Sequence, residues 1–426
     1  RRMETDLSGN NVTKYDGEID LYNIVRNANH DFFEDAVHVC DLSDIIKKYR
    51  IWLAHMTRVT PFYAVKCNNN PTLLKLLATL GTGFDCASKG EISTVLNLGV
   101  TSDRIIFANP TKPASHLVYA LENGVTTMTF DNDFELFKVK KYYPNAKLVL
   151  RIKCEAEKAY CPLGDKYGCD PVTDAPRLIS LAKSLDLQMV GICFHVGSGC
   201  EDFPVYERAI AKSKTLFDYA RAIGYNFELL DIGGGFPGDK GTSIEEAATI
   251  VSSALDKYFP EEDGVKIIAE PGRFFVSSAY TLVCKIHSKR EILENENIRK
   301  IMYYINDGVY GSFNCILVNQ PLTSPKCIYS GKKSVHKSTI WGPTCDAFDI
   351  IYDNILLPDL DIGDFFVFEN MGAYTLAIAS GFNGFSVPSV KFFIEAKDEQ
   401  LIIANTTEDL LISSYYFCIS PYFEDK

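Results

Sequence analysis

Short apolar runs alternate with amphipathic stretches over the first two thirds of the chain. The runs PFYAVK (61–66), TGFDCA (82–87), RIIFAN (104–109), VTTMTF (125–130), KLVLRIK (147–153), MVGICFHV (189–196), FELLDI (227–232) and VKIIAE (265–270) read as strands. Helical spacing precedes the first of them, in SDIIKKYRIWLAHMTR (43–58), and falls between the others, in TLLKLLATL (72–80), DFELFKVKKYY (133–143), YERAIAKSKTLFDYARAI (206–223) and SIEEAATIVSSALDKYF (243–259). The first of these puts Ile45, Ile46, Tyr49, Trp52, Leu53 and Met56 on one face. The alternation amounts to about eight β/α units, the number that closes a parallel barrel.

Beyond Arg273 the texture changes to strands with few helices: AYTLVCKIHS (279–288), KIMYYIND (300–307), KSTIWG (337–342), DFFVFEN (364–370) and SVKFFI (389–394). The pattern predicts an α/β barrel of the TIM type over 42–279, followed by a mostly antiparallel β domain of the sandwich or modified Greek-key type. The second domain takes 280–426 and, from before the barrel, 15–41. The polar residues 1–14, which lack Met at position 1, are expected to be a disordered tail. A chain of 426 residues with 46% hydrophobic content can fill two cores, since single cores rarely exceed about 250–300 residues.

Net charge of −12 argues against a nucleic-acid partner, which would want clustered Lys and Arg, and suits a cationic substrate better. The 13 scattered cysteines fit neither a disulfide framework nor a zinc site, so no metal is expected and reduced thiols in a cytoplasmic protein are. No secretory signal or apolar span of about 18 residues appears, and no membrane association is expected.

Ligands of parallel barrels sit at the C-terminal ends of strands. Lys66, Asp85, Arg151, His195, Gly233 to Gly235, and Glu270, Pro271, Gly272 and Arg273 all fall at or near such ends. GGGFPG (233–238) is either a tight turn, because glycine accepts positive φ, or a loop whose N–H groups surround a phosphate. In the second case Arg273 adds a fixed cation, and Ser198 and Tyr374 add hydroxyls. Glu270 is a cap, a solvated carboxylate, or the partner that keeps a pyridine nitrogen protonated. His195 is either a satisfied core histidine or a ring stacked on that pyridine. Asp85 caps a helix or lies by an imine, and Glu91 and Arg151 are an ion pair or a support for Lys66 and Asp85. Lys66 must be neutral to attack an aldehyde, although lysine ordinarily titrates near ~10.4; burial or imine formation itself removes the difficulty. Cys345, in WGPTCD (341–346), is by default an inert thiol. The adjacent Asp346 instead suggests a substrate amine held by charge while a carbanion is quenched. Amine, imidazole, phosphate cradle, carboxylate and thiol are five groups a pyridoxal phosphate enzyme can use.

The ordered set PFYAVKCN, FDCASKGEI, FHVGSG, DIGGGFPG, EPGR, NDGVYGSFNC, WGPTCDAFD and NMGAYT resembles the eukaryotic ornithine decarboxylases. These belong to the alanine-racemase-like fold group of pyridoxal phosphate enzymes, and the resemblance runs from about Tyr15 to about Phe393. It implies decarboxylation of L-ornithine to putrescine and CO2, and a head-to-tail homodimer with two active sites at its interface. Lys66 would carry pyridoxal 5′-phosphate, His195 would stack on its ring and Glu270 would meet the pyridine nitrogen. Ser198, Gly235, Arg273 and Tyr374 would hold the phosphate. Cys345 would come from the other subunit as proton donor, with Asp346 as ligand of the distal amine and Tyr310 in the same pocket.

One departure bears on specificity. After NDGVYGSFNCIL (306–317) the family typically has an acidic residue, commonly preceded by Tyr, that helps bind the distal amine; this chain has Val318 and Asn319. An amide loses the ion pair, so lysine or arginine stands second to ornithine as substrate. The family also contains non-catalytic regulators resembling antizyme inhibitor. Antizyme recognition itself is expected to be weak, because the corresponding segment, 114–141, contains Glu122, Asp131, Asp133 and Glu135. SPYFEDK (420–426) leaves little room for a degradation tail.

Overall fold

The structure of the protein is a computed structural model that describes residues 4–5, 11–27, 34–154, 156–157, 159–161, 166–318, 320–329 and 333–399. Two units emerge, one built from 46–237 and 242–274, the other from the described residues up to Ile45, with 238–241 and 275–399.

The first unit is a closed barrel of eight parallel strands in chain order: Val59–Ala64, Gly83–Cys86, Ile105–Phe107, Thr127–Phe130, Lys147–Ile152, Gln188–Phe194, Leu229–Asp231 and Lys266–Ala269. The last closes on the first by pairing Ile267 with Val59 and Ala269 with Pro61. Phe62, Ile106, Val149, Val190, Cys193, Leu229 and Ile268 form one apolar cluster of this barrel. Helices lie between the strands, and each has a local reason to start where it does. Asn70 caps Pro71–Leu80 by accepting from Thr72 and Leu73 N–H, with Pro71 at the first helical position. Gly81, at φ +95, ends that helix in the left-handed conformation. The helix Leu42–His55 buries Ile45, Ile46 and Trp52 as expected, and Met56 is buried just past its end. Leu53 is exposed instead, and the stem of Lys48 is buried with its ammonium 5.2 Å from the Phe274 ring centre. A lysine can cover apolar surface with its methylenes while its head meets an aromatic face.

The second unit is a mostly antiparallel sheet. Its central strand, Tyr280–Glu294, pairs antiparallel with Val37–Asp41, Asn297–Ile305 and Phe365–Phe368. Val335–Trp341 joins Asn297–Ile305 in parallel and Ile350–Pro358 antiparallel. The residues 11–14 are not all tail: Asn11–Tyr15 is a strand lying parallel to Ser389–Glu395, which in turn lies parallel to Val37–Asp41. Tyr15 fixes its end by donating to Asp41 at 2.9 Å. The core holds Leu282, Ile286, Tyr303, Phe313, Phe366 and Phe368. No helix among the described residues is long and apolar enough to cross a membrane.

Candidate active site

The strand Val59–Ala64 runs directly into a tight helical turn, Val65–Cys67, so Lys66 stands just beyond the strand. Its ammonium pairs with the wholly buried Asp85, near the end of Gly83–Cys86. Asp85 Oδ1 is buried and meets no donor. The following helix, Lys89–Asn97, is capped by Ser88, which accepts Glu91 N–H at 3.3 Å, so Asp85 is not its cap. Glu91 reaches back to Ala87 N–H at 2.6 Å, a reciprocal arrangement akin to a capping box. Burial, and after it the nearby Asp85, hold the Glu91 carboxyl above its ordinary range against the Ala87 N–H and Lys66. The alternative pairing of Glu91 with Arg151 is not formed; the Arg151 guanidinium lies 5.4 Å from the Tyr167 ring centre.

His195 directly follows Gln188–Phe194. Gly197 N–H donates to its Nδ1 at 3.0 Å, so the neutral ring carries its proton on Nε2. Burial, reinforced by the charges of Arg151 and Lys66, holds the imidazole well below its ordinary pKa. His195 is therefore a neutral ring at neutral pH.

The glycine loop follows Leu229–Asp231. Gly233 and Gly235 have φ of +65 and +112. A Cβ on Gly233 would lie 2.1 Å from Phe194 O, and one on Gly234 would lie 2.8 Å from Glu270 O and 2.9 Å from His195 Nε2. Only glycine lets these strand ends approach so closely. Gly233 O accepts Glu270 N–H at 2.7 Å, and Pro271 O accepts Ala64 N–H at 3.3 Å. Gly272 sits where a Cβ would be 2.8 Å from Cys67 Cβ. The loop 270–273 is thus wedged between the Lys66 turn and the glycine loop. Arg273 Nη2 donates to Ser198 Oγ at 3.3 Å.

Asp231 is a member of this site that the sequence reading missed. It is fully buried, accepts Gly233 N–H on Oδ1 at 2.9 Å, and its carboxyl meets that of Glu270. Burial is the main cause that lifts both, Asp231 to about 7 and Glu270 well above the carboxylate range. The available signal was a carboxylate near the end of FELLDI, after the apolar pair Leu229 and Leu230 and just before the glycine loop.

One barrel end therefore gathers an amine, a neutral imidazole, a proton-sharing carboxyl pair, a glycine loop and an arginine beside a serine. That donor set fits pyridoxal phosphate, whose aldehyde, ring nitrogen and phosphate call for such groups. Asp85 meets Lys66 Nζ, the atom that would become the imine nitrogen, and its buried Oδ1, which meets no donor, leaves this carboxyl one acceptor still to be satisfied.

The second unit holds the remaining candidates. Tyr310 donates to Asp346, which also accepts Phe348 N–H at 3.0 Å. The Tyr310 hydroxyl is the main cause that holds Asp346 below its ordinary pKa. Cys345, exposed, precedes it. Buried Asp349 ties the two loops together by accepting Val309 N–H at 2.8 Å, Thr344 N–H at 3.0 Å and Thr344 Oγ1 at 2.7 Å. Gly308 and Gly342 make room for it; a Cβ on either would fall 2.2 Å from Asp349 Oδ1. Tyr374 lies in a left-handed turn at φ +53. Asn319 and the side chain of Val318 lie outside the described residues.

Residues 42–277 match the family described as pyridoxal-dependent decarboxylase, pyridoxal binding domain. The chain is 49% identical over 385 residues to ornithine decarboxylase 2 of Drosophila melanogaster, covering 90% of this chain and 98% of that one. It is 47% identical over 371 residues to antizyme inhibitor 2 of Xenopus laevis, covering 84% and 81%. Its fold is similar to the agmatine-bound arginine decarboxylase of Paramecium bursaria Chlorella virus, with a TM-score of 0.82 and 36% identity over 87% of this chain and 98% of that one. With its barrel matched throughout and its relatives aligned over most of its length, the chain belongs to the pyridoxal-dependent decarboxylases.

Proposed function

We propose that this protein decarboxylates L-ornithine to putrescine and CO2 with pyridoxal 5′-phosphate, as a step of polyamine synthesis in the cytoplasm. The observation that carries the reading is the Lys66–Asp85 pair standing at the same barrel end as Glu270, His195 and the glycine loop. The catalytic barrel is taken as 42–279, and 15–41 with 280–426 as the β domain.

In this reading Lys66 binds the cofactor and gives way to the α-amine of the substrate, while Asp85 holds the Lys66 nitrogen in place. Neutral His195 offers the ring a flat, uncharged face, and Arg151 helps to keep it neutral. Glu270, backed by Asp231, holds the proton at the pyridine nitrogen. Gly233, Gly234, Gly235, Ser198, Arg273 and Tyr374 hold the phosphate, and Pro271 and Gly272 set the loop that presents Glu270. When bound, the cofactor supplies the electron sink for the pair left behind by CO2. Asp346, oriented by Tyr310, takes the distal amine, and Cys345 returns a proton to Cα.

The active form is a head-to-tail homodimer in which each copy lends Cys345 and Asp346 to the other. Asn319 in place of an acid weakens one end of the diamine pocket, so Asp346 carries more of the selectivity. Turnover of ornithine, lysine and arginine, compared side by side, tests the assignment. Ornithine is expected to be fastest, and arginine turnover without ornithine turnover would reverse it.

A regulator resembling antizyme inhibitor is the second reading, favoured by the Xenopus laevis relative. Borohydride treatment of the protein with pyridoxal phosphate separates the two: added mass on Lys66 is expected, and a colourless, unmodified protein would favour the regulator. Weak antizyme recognition needs a different footing from surface charge. Glu135 is buried against Lys112 and Lys138, and Asp133 holds Arg177. Two of the four carboxylates that argued against binding are thus neutralised within the chain, and a pull-down with antizyme decides the matter.

A further inference from the structure

Cys345 is exposed, whereas Cys40, Cys67, Cys86, Cys169, Cys193, Cys200, Cys284 and Cys315 are buried and Cys154 and Cys327 half-buried. A thiol on an exposed loop ordinarily samples several rotamers and loses its proton near pH ~8.5. This one is fastened. Asn383 Oδ1 accepts the Cys345 backbone N–H at 3.3 Å and its S–H at 3.4 Å. Two donors of one residue on a single amide oxygen fix the position of the backbone and the direction of the thiol together.

Asn383 is held in turn. It occupies the left-handed region at φ +53, which asparagine tolerates better than most residues, and Gly384 follows at φ +80. Phe382 lies against the Tyr310 ring with centroids 4.4 Å apart. Ser380 donates to Tyr310 O through its N–H at 2.9 Å and through Oγ at 3.0 Å. The loop 380–384 thus braces both Tyr310, which holds Asp346, and Cys345.

From this geometry we infer that Asn383 is a positioning residue for the proton-donating thiol, its amide oxygen keeping the proton on Sγ and aiming it. The inference deepens the proposed function and rests on Cys345 as proton donor. When CO2 has left, an electron pair remains for Cα; the new C–H bond forms as the S–H bond breaks, leaving a thiolate that water reprotonates. An amide oxygen accepts from S–H and opposes a thiolate, so it favours the loaded donor before the step and its recharging afterwards. A hydrogen-bond donor in the same place would do the reverse.

The test is the pH profile of iodoacetamide alkylation at Cys345, followed by peptide mass on the pyridoxal phosphate-loaded protein. Wild type is compared with Asn383→Gly, which keeps the backbone and removes the oxygen, and Asn383→Asp, which keeps an acceptor and adds charge. Asn383→Gly is expected to speed alkylation at neutral pH about fivefold, the worth of one neutral hydrogen bond. Asn383→Asp is expected to slow it about tenfold, one unit of thiol pKa. With ornithine, Asn383→Gly should lower kcat and leave KM unchanged. Coincident profiles for the three proteins, or shifts of both variants in the same direction, overturn the inference. A wild type that turns over no amino acid would sink the decarboxylase reading, yet the alkylation shifts would still be read, so the two failures are distinguishable.

Discussion

At the scale of single residues, the site is governed by what a side chain displaces. Gly234→Ala would drive a methyl group to within 2.8 Å of Glu270 O and 2.9 Å of His195 Nε2. Neither neighbour is the free end of a flexible chain, so the loop or the imidazole must move. The variant is expected to fold and to bind pyridoxal phosphate at least tenfold more weakly, about 1.4 kcal/mol, by equilibrium dialysis; unchanged affinity would mean that the glycine loop does not touch the cofactor. Asp307 illustrates the reverse case, a buried carboxyl that costs stability when charged. Burial lifts it to about 6 against hydrogen bonds from Ser312 and Gly308. Its folded pKa lies above the unfolded value of 3.8, so the stability it contributes is full below 3.8 and lost as pH rises through about 6. Asp307→Asn can still accept both N–H groups without a charge. Its stability relative to wild type should therefore rise between these two pH values, by up to about 3 kcal/mol. Urea unfolding at both ends of the window checks the sign, and a difference that shrinks with rising pH would contradict it.

Elements are joined by contacts that no single stretch of sequence announces. Lys112, wholly buried in the loop before the helix Ala114–Glu122, donates to Asn109 O at 3.0 Å and to Thr129 O at 2.5 Å, and pairs with Glu135 at 2.9 Å. It ties two barrel strands to the helix Asp133–Tyr142. Lys112→Met should cost roughly 3–5 kcal/mol, since it leaves a buried carboxylate with only half-exposed Lys138 and the N–H of residue 112, whereas Lys112→Met with Glu135→Met should recover most of that loss. Chemical denaturation of the two variants measures it, and additive losses would mean that the pair does not act as a unit. The same residues mark the limit of what the sequence made legible. Lys66, the glycine loop and Glu270 were readable because each stands immediately after an apolar strand in a repeating β/α pattern. Glu135 was read as surface acid, because nothing in DFELFKVKKYY says that Lys112 waits beneath it. Asp231 was passed over for the same reason: its partner Glu270 is brought in by the neighbouring strand. Residues 11–14 of the strand Asn11–Tyr15 looked like a tail because their polar composition gives no period, and the partner strand, Ser389–Glu395, lies at the far end of the described chain.

For the whole molecule, the decisive question is which copy supplies each half of the chemistry. The barrel holds Lys66, Asp85, His195 and Glu270, and the β unit holds Tyr310, Cys345 and Asp346. If one chain completes its own site, Lys66→Ala and Cys345→Ala proteins are each defective and remain so when mixed. If two chains complete each other's sites, a mixed dimer pairs one doubly altered site with one intact site. Random exchange of equal amounts makes half of the dimers mixed, and half of their sites intact, so about a quarter of wild-type activity should return. Recovery must also fall on dilution, because an intact site then exists only while two copies are associated. The head-to-tail arrangement therefore predicts recovery that depends on concentration, and a mixture with no more activity than its two components would place both halves of the site in one chain.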